Sequence, residues 1–430
     1  MRIFTSRRHA VAAALALLVA SSAGAKDVLV HREGTGRTLI AADAQAPDRL
    51  VISGHVEQCE SHKAVHVSSD RGKSWTPACL PTTSSYWVYE TPSVAIDGEG
   101  TIWAAAAMRS DFDSGALFVI HSTDNGQTWS DWKYVAAPAS THGGLTDARI
   151  QIDDHAGSPY RGSIYISHTV WEEEGAKPRV VFSRDGGQNW AQYSAVLHAE
   201  QMLLSAPSLA IGANGKLNLV YAQCLWECPT ASVNFASSTD GGVTWKTPVE
   251  VANVEMPSGG DWSWGQLPGT DVDLAFEPSL AVDTSRGPRR GELYLAMSSA
   301  KNNRLSVVTM RSEDGGKRWT APQAVSPVAA DQFMPSVSVN EQGEMAALWL
   351  DRRNDPEGIR YQPMLAFSAD GGRTFGEAKA LDKDLSDPRL HDADLSATAS
   401  HTWAGQGVQA AFIGTGQQPR LTVRSSRAKP

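Results

Sequence analysis

The chain has 430 residues and a formal net charge of -9, from 38 lysines and arginines against 47 aspartates and glutamates. That balance leaves no basic stripe to release counterions from phosphates, so it argues against a nucleic-acid partner. The length alone would allow two or three domains, but internal repetition overrides that prior.

At the start, Arg2, Arg7 and Arg8 precede an apolar run from Ala10 to Ala20 and then Ala23-Gly24-Ala25. A charged lead, a short apolar core and an A-x-A site predict a secretory signal over residues 1–25, leaving 26–430 as one exported domain, periplasmic or secreted. Ser6-Arg7-Arg8 fits twin-arginine export as well as an ordinary Sec signal. No other stretch reaches the apolar length of a spanning helix, so no membrane span is expected.

Next comes a spare strand, Asp27-Val-Leu-Val-His31, and after it Arg37-Thr-Leu-Ile-Ala-Ala and Leu50-Val-Ile-Ser open the first of a series of similar units. Most units close on the same phrase: Ser68-Ser-Asp70-Arg-Gly72-Lys-Ser74-Trp75, then around Asp124, Asp185, Asp240, Asp314 and Asp370. In each, an Asp can bond the backbone beyond it, Gly supplies φ > 0, and a Ser tethers the turn, so the phrase reads as an anchored hairpin. The unit containing Glu90-Thr-Pro-Ser-Val-Ala-Ile, Thr101-Ile-Trp-Ala, Leu117-Phe-Val-Ile and Trp132-Lys-Tyr-Val reads as four short strands, A to D.

These six copies of S-x-D-x-G-x-[ST]-[WF] resemble the Asp-box, or BNR repeat, of sialidase-like β-propellers. The resemblance implies an all-β propeller in which Asp-boxes brace the blade periphery whether or not the protein is an enzyme. Counting units gives seven four-stranded blades. The last, with Asp394-Leu-Ser-Ala-Thr, Val408-Gln-Ala-Ala-Phe-Ile and Arg420-Leu-Thr-Val-Arg, lacks an outer strand that Asp27–His31 can supply. Sialidases of this family have six blades, and six remain here if the first unit packs as an extension.

Strand direction alternates within a blade, so the B–C loops and D–A connections share the face opposite the Asp-boxes, and function is expected there. The starts of A strands crowd the axis on that face and carry Glu90, Asp147, Glu277 and Asp392, the candidate catalytic carboxylates. Arg149, Arg352 and Arg353 are candidates for holding substrate, and Trp87, Trp171, Trp226, Trp262 and Trp264 for stacking on sugar rings. The alternative for each carboxylate is a cap or an ion pair with Arg149, Arg352 or Arg389. The insertion from Val254 to Phe276 reads as a binding loop or lid.

Four cysteines fit an oxidising compartment. Cys59 and Cys79 fall in one repeat and Cys224 and Cys228 in Cys-Leu-Trp-Glu-Cys, so 59–79 and 224–228 are the expected disulfides rather than zinc ligands. No cofactor is expected; a structural cation and the oligomeric state stay open.

Three functions remain. The resemblance implies a sialidase, with three arginines on a carboxylate, a tyrosine nucleophile activated by a glutamate, and an aspartate as acid/base; yet the family's Phe/Tyr-Arg-Ile-Pro segment is absent, and Val30-His-Arg32-Glu-Gly does not replace it. A different hydrolase, or a lyase with His142 or Tyr89 as base, would use the same face. So would a non-catalytic propeller that binds a glycan or protein there.

Overall fold

The computed structural model describes residues 27–31, 37–110, 115–138, 144–172, 175–191, 203–224, 229–259, 264–390, 399–414 and 422–430. Seven antiparallel sheets form the blades of a propeller, and the described residues contain a single short 3-10 turn, Pro388–Leu390, and no α-helix. Blade 1 runs Ile40–Ala42, Leu50–His55, Lys63–Ser68 and Thr76–Cys79 from the axis outwards. Blade 3 shows three strands among the described residues, with an isolated bridge between Phe182 and Ala191.

The ring closes as the sequence predicts. Asp27–His31 pairs antiparallel with Thr422–Ala428, so the chain's first strand completes its last blade and covers that edge. Among the described residues the innermost strand of this blade is Ala399–Ala404; the expected strand Asp394–Thr398 lies outside the described residues. Strand Ala399–Ala404 pairs with the next strand from Ala399–Phe412 to Ala404–Gly407, closing on a tight turn at Gly405.

A repeated hydrogen bond registers the inner strands. Ser93 Oγ accepts from Ile150 N at 3.0 Å, Ser208 Oγ from Leu280 N at 3.1 Å, Ser279 Oγ from Val337 N at 3.1 Å, and Ser400 Oγ from Ile40 N at 3.1 Å. Ile40, Ile150, Leu280 and Val337 are therefore equivalent positions. Counting back three residues places Arg37, Asp147, Glu277 and Met334 in one ring near the axis.

The Asp-boxes form as expected. Around Asp124, Ser122 Oγ donates to the carboxylate at 2.8 Å and accepts Gly126 N–H at 2.8 Å, while Thr128 N–H donates to the same carboxylate at 2.9 Å. The boxes interlock with the A–B turns of neighbouring blades: Arg49 reaches Gly100 O and Asn125 Oδ1, Arg184 reaches Gly241 O, and Arg289 reaches Gly343 O and Ala369 O. Boxes and A–B turns thus make one rim, and the A-strand starts lie at the other.

Cys59 and Cys79 are bonded, with Cα atoms 5.4 Å apart. Cys224 is also disulfide-bonded, while Cys228 lies outside the described residues. No helix among the described residues is long and apolar enough to cross a membrane.

Candidate functional site

Arg37, which begins the first inner strand, is the hub of the rim opposite the boxes. One guanidinium faces three carboxylates from three other blades: Asp147 Oδ1 at 2.5 Å, Glu277 Oε1 at 3.6 Å and Glu90 Oε2 at 3.7 Å. Arg149 adds a second cation, 3.2 Å from Glu277 Oε2. All five side chains are largely buried, between 11% and 17% exposed.

Local backbone chemistry fixes the group. Asp147 sits at a bulge, with the register to the next strand shifting between Thr146 and Arg149, and its φ of 64° lies in the left-handed region. A non-glycine residue held there costs about 1–3 kcal/mol, and such strain is concentrated at functional sites. Neighbours hold it in place: Asp147 N–H donates to Glu90 Oε2 at 2.8 Å, Thr146 Oγ1 donates to Asp147 Oδ2 at 2.8 Å, and Trp171 Nε1 donates to Thr146 Oγ1 at 3.0 Å.

The environments split the two carboxyls apart. Burial pushes Glu90 above the ordinary carboxylate range, and the Asp147 charge adds to this while Arg37 and Arg149 oppose it. Burial also works against the Asp147 anion, but Arg37 and Arg149, with the Thr146 and Arg37 hydrogen bonds, outweigh it and hold Asp147 below the usual range. One carboxyl is biased towards the acid and its neighbour towards the anion, the pattern of an acid/base pair. Arg37 Nη1 is buried and faces Glu90 Oε2 at 3.7 Å, beyond hydrogen-bond distance, so the guanidinium is committed to the carboxylates around it.

Glu90, Asp147, Glu277 and Arg149 are thus brought together, and Asp392 lies outside the described residues, as do Trp226, Trp262 and His142. Trp171 is half-buried behind Asp147 and positions it through Thr146 rather than facing solvent. Arg352 is 1% exposed, tied to Asp331 Oδ2 at 3.2 Å and Pro268 O at 2.6 Å, so it braces the 254–276 insertion instead of offering a free guanidinium. Arg353 pairs with Asp351 at 2.6 Å. Trp264 is 7% exposed and packs on Phe276 with ring centroids 5.5 Å apart, so it is core and has no open face for a sugar.

Arg37 escaped the sequence reading because its strand, like that of Asp147, lacks the Pro-Ser of the Glu277 and Met334 strands and opens on a cation rather than a carboxylate; aligning Ile40 with Ile150 and Leu280 would have put it in register with Asp147 and Glu277. Among the described residues, no group of three His, Cys, Asp or Glu side chains is placed to hold a metal ion.

The BNR/Asp-box repeat family model matches residues 120–131, the box of blade 2. A sialidase of Micromonospora viridifaciens is 24% identical over 309 residues, 70% of this chain but 37% of that protein, so the chain spans little more than a third of that relative. Among solved structures, the leech intramolecular trans-sialidase complexed with 2,7-anhydro-Neu5Ac superposes with a TM-score of 0.52 at 10% identity, over 77% of this chain and 67% of that one. The Penicillium chrysogenum α-L-arabinanase complexed with arabinobiose superposes with a TM-score of 0.51 at 13% identity, over 94% of this chain and 97% of that one. Identities this low speak to the fold: a sialidase-like Asp-box β-propeller with a glycoside-hydrolase-like architecture.

Proposed function

We propose that this sialidase-like propeller is an exported glycoside hydrolase whose active site is the cluster around Arg37. The observation that carries the reading is the pair Glu90 and Asp147, joined through Asp147 N–H at 2.8 Å yet biased towards opposite protonation states. Glu90, held as the acid by burial, supplies the proton to the departing glycosidic oxygen. Asp147, kept as the anion by Arg37 and Arg149, takes a proton from the water that bonds to the anomeric carbon as the bond to the departing oxygen breaks. Glu277 shares both guanidinium groups and completes the site.

Export rests on the signal-like residues 1–25 and on the Cys59–Cys79 disulfide, a bond that persists in oxidising compartments. Two guanidinium groups, not three, meet here among the described residues, which speaks against a sialidase. A second reading, glycan binding without cleavage, draws on the same saturation of Arg37 by carboxylates.

The mature protein is incubated with a panel of fluorogenic aryl glycosides, neutral and acidic, beside folded Glu90→Gln and Asp147→Asn variants. Turnover that falls about 100-fold or more in both variants supports the hydrolase. Silence on every substrate, or variants as active as wild type, overturns it.

A further inference from the structure

Immediately before Glu90 the chain reads Tyr86-Trp87-Val88-Tyr89. The segment is extended, so alternate side chains share a face. Tyr86 and Val88 turn inwards onto the cluster of Met108 and Phe118, and Trp87 and Tyr89 turn outwards, 47% and 48% exposed. Trp87 is the only exposed tryptophan among the described residues. Water contact on that scale is unfavourable for an indole, and an exposed aromatic pair beside a site signals recognition.

The platform is preformed. Trp87 pairs with Arg109 and Val88 with Met108 on the neighbouring strand, and Thr83 clamps Tyr86 through bonds of 2.7 and 2.9 Å. The Arg109 guanidinium lies 3.6 Å from the centre of the Tyr89 ring, covering one face and fixing its tilt. The exposed remainder of Tyr89 and the Trp87 indole then sit about 7 Å apart along the strand. Tyr89 is bonded in sequence to Glu90, so the platform is continuous with the cluster.

Charge selects the ligand. Arg37 and Arg149 already face Glu90, Asp147 and Glu277. Two guanidinium groups thus meet three carboxylates, and the carboxylate of an acidic sugar would enter that cluster uncompensated. An uncharged sugar brings no carboxylate to be compensated and offers an apolar C–H face to the aromatic rings.

We propose that Trp87 and Tyr89 form a stacking subsite for an uncharged sugar ring of a glycan chain, next to the ring held at Glu90, Asp147 and Glu277. The subsite rests on the hydrolase reading for its neighbouring ring, but its binding can be read without cleavage.

The test is affinity electrophoresis of wild type, Glu90→Gln, Trp87→Ala and Tyr89→Ala in native gels containing arabinan, xylan, galactan or β-glucan, with polygalacturonate as the acidic counterpart. Wild type and Glu90→Gln are expected to be retarded by at least one uncharged polysaccharide and not by polygalacturonate. Retardation should weaken about tenfold in Trp87→Ala and Tyr89→Ala, with melting temperatures unchanged. Equal retardation of Trp87→Ala and wild type, retardation by polygalacturonate alone, or no retardation by any polymer overturns the subsite. Turnover with an indifferent Trp87→Ala sinks the subsite and spares the hydrolase; retardation lost in Trp87→Ala without turnover sinks the hydrolase and spares the subsite.

Discussion

Acid should unfold this propeller well above the pH at which carboxylates titrate, because three histidines are buried as neutral rings. His66, His168 and His401 are 0%, 1% and 8% exposed, and each is pushed down to about 4 from an ordinary value of 6.5. Burial is the main cause in all three; the neighbouring His31 ring, 5.4 Å away, adds to it at His66, and Arg179 adds to it at His168. Between pH 6.5 and 4 the unfolded chain binds these protons and the folded one does not, so stability falls as pH falls. At pH 5 the difference is about 2 kcal/mol per histidine and about 6 kcal/mol for the three, against a typical total of about 5–15 kcal/mol. Glu90 acts with the opposite sign, since its raised folded value favours proton uptake by the native state, but it is one group against three. The Asp-box carboxylates stay out of this window, because Asp70, Asp124, Asp185, Asp240 and Asp370 are held at about 2 by their turns. Urea denaturation at half-unit pH steps from 8 to 4.5 reads the slope, expected to approach about 4 kcal/mol per pH unit near pH 5. A slope below that of one proton across the window would refute the reasoning.

Two further outcomes follow from the site and from the boxes. Arg37→Ala leaves Glu90, Asp147 and Glu277 facing one another without their shared cation, and should cost about 3–5 kcal/mol at pH 7.5 in urea denaturation, with part of the loss recovered near pH 6; an unchanged midpoint would contradict the hub. Ser122→Ala removes the hydroxyl that accepts Gly126 N–H and donates to Asp124, and should cost about 1–3 kcal/mol, read as a lower urea midpoint with an unchanged dependence on denaturant.

Much of this architecture could be read from residues because repetition makes turn chemistry visible. A single Asp-Gly-Gly turn is ambiguous, whereas six at matching offsets fix which strand follows which, and from that come the rim, the spare first strand and the crowding of Glu90, Asp147 and Glu277 at the axis. What the sequence did not disclose is the state of each isolated side chain. Trp264 and Arg352 lie in segments rich in Gly, Pro and charge, which read as exposed loops; burial of Leu267, Leu274 and Phe276 beside them, and the Pro268 carbonyl waiting for Arg352, are consequences of packing between distant stretches. Trp87 shows the converse: its place in the D–A segment before Glu90 is expected to leave it exposed, and it is.

The same asymmetry explains how a site can arise on a nearly symmetric ring. Four blades share the position three residues before a registering backbone N–H, and the scaffold is indifferent to what stands there: Arg37, Asp147, Glu277 and the apolar Met334 occupy it. The bulge is likewise shared, since Met334 has φ of 52° where Asp147 has 64°. Left-handed backbone at this place is therefore shared by two blades and absent at Arg37 and Glu277, and what distinguishes blade 3 from blade 6 is the carboxylate mounted on it. Charges at equivalent positions of different blades converge because the ring brings them to one axis, so a few substitutions in separate repeats are enough to assemble a cluster that no single repeat encodes. Function on this fold resides in the differences between repeats, and the conserved geometry of the repeats brings those differences together.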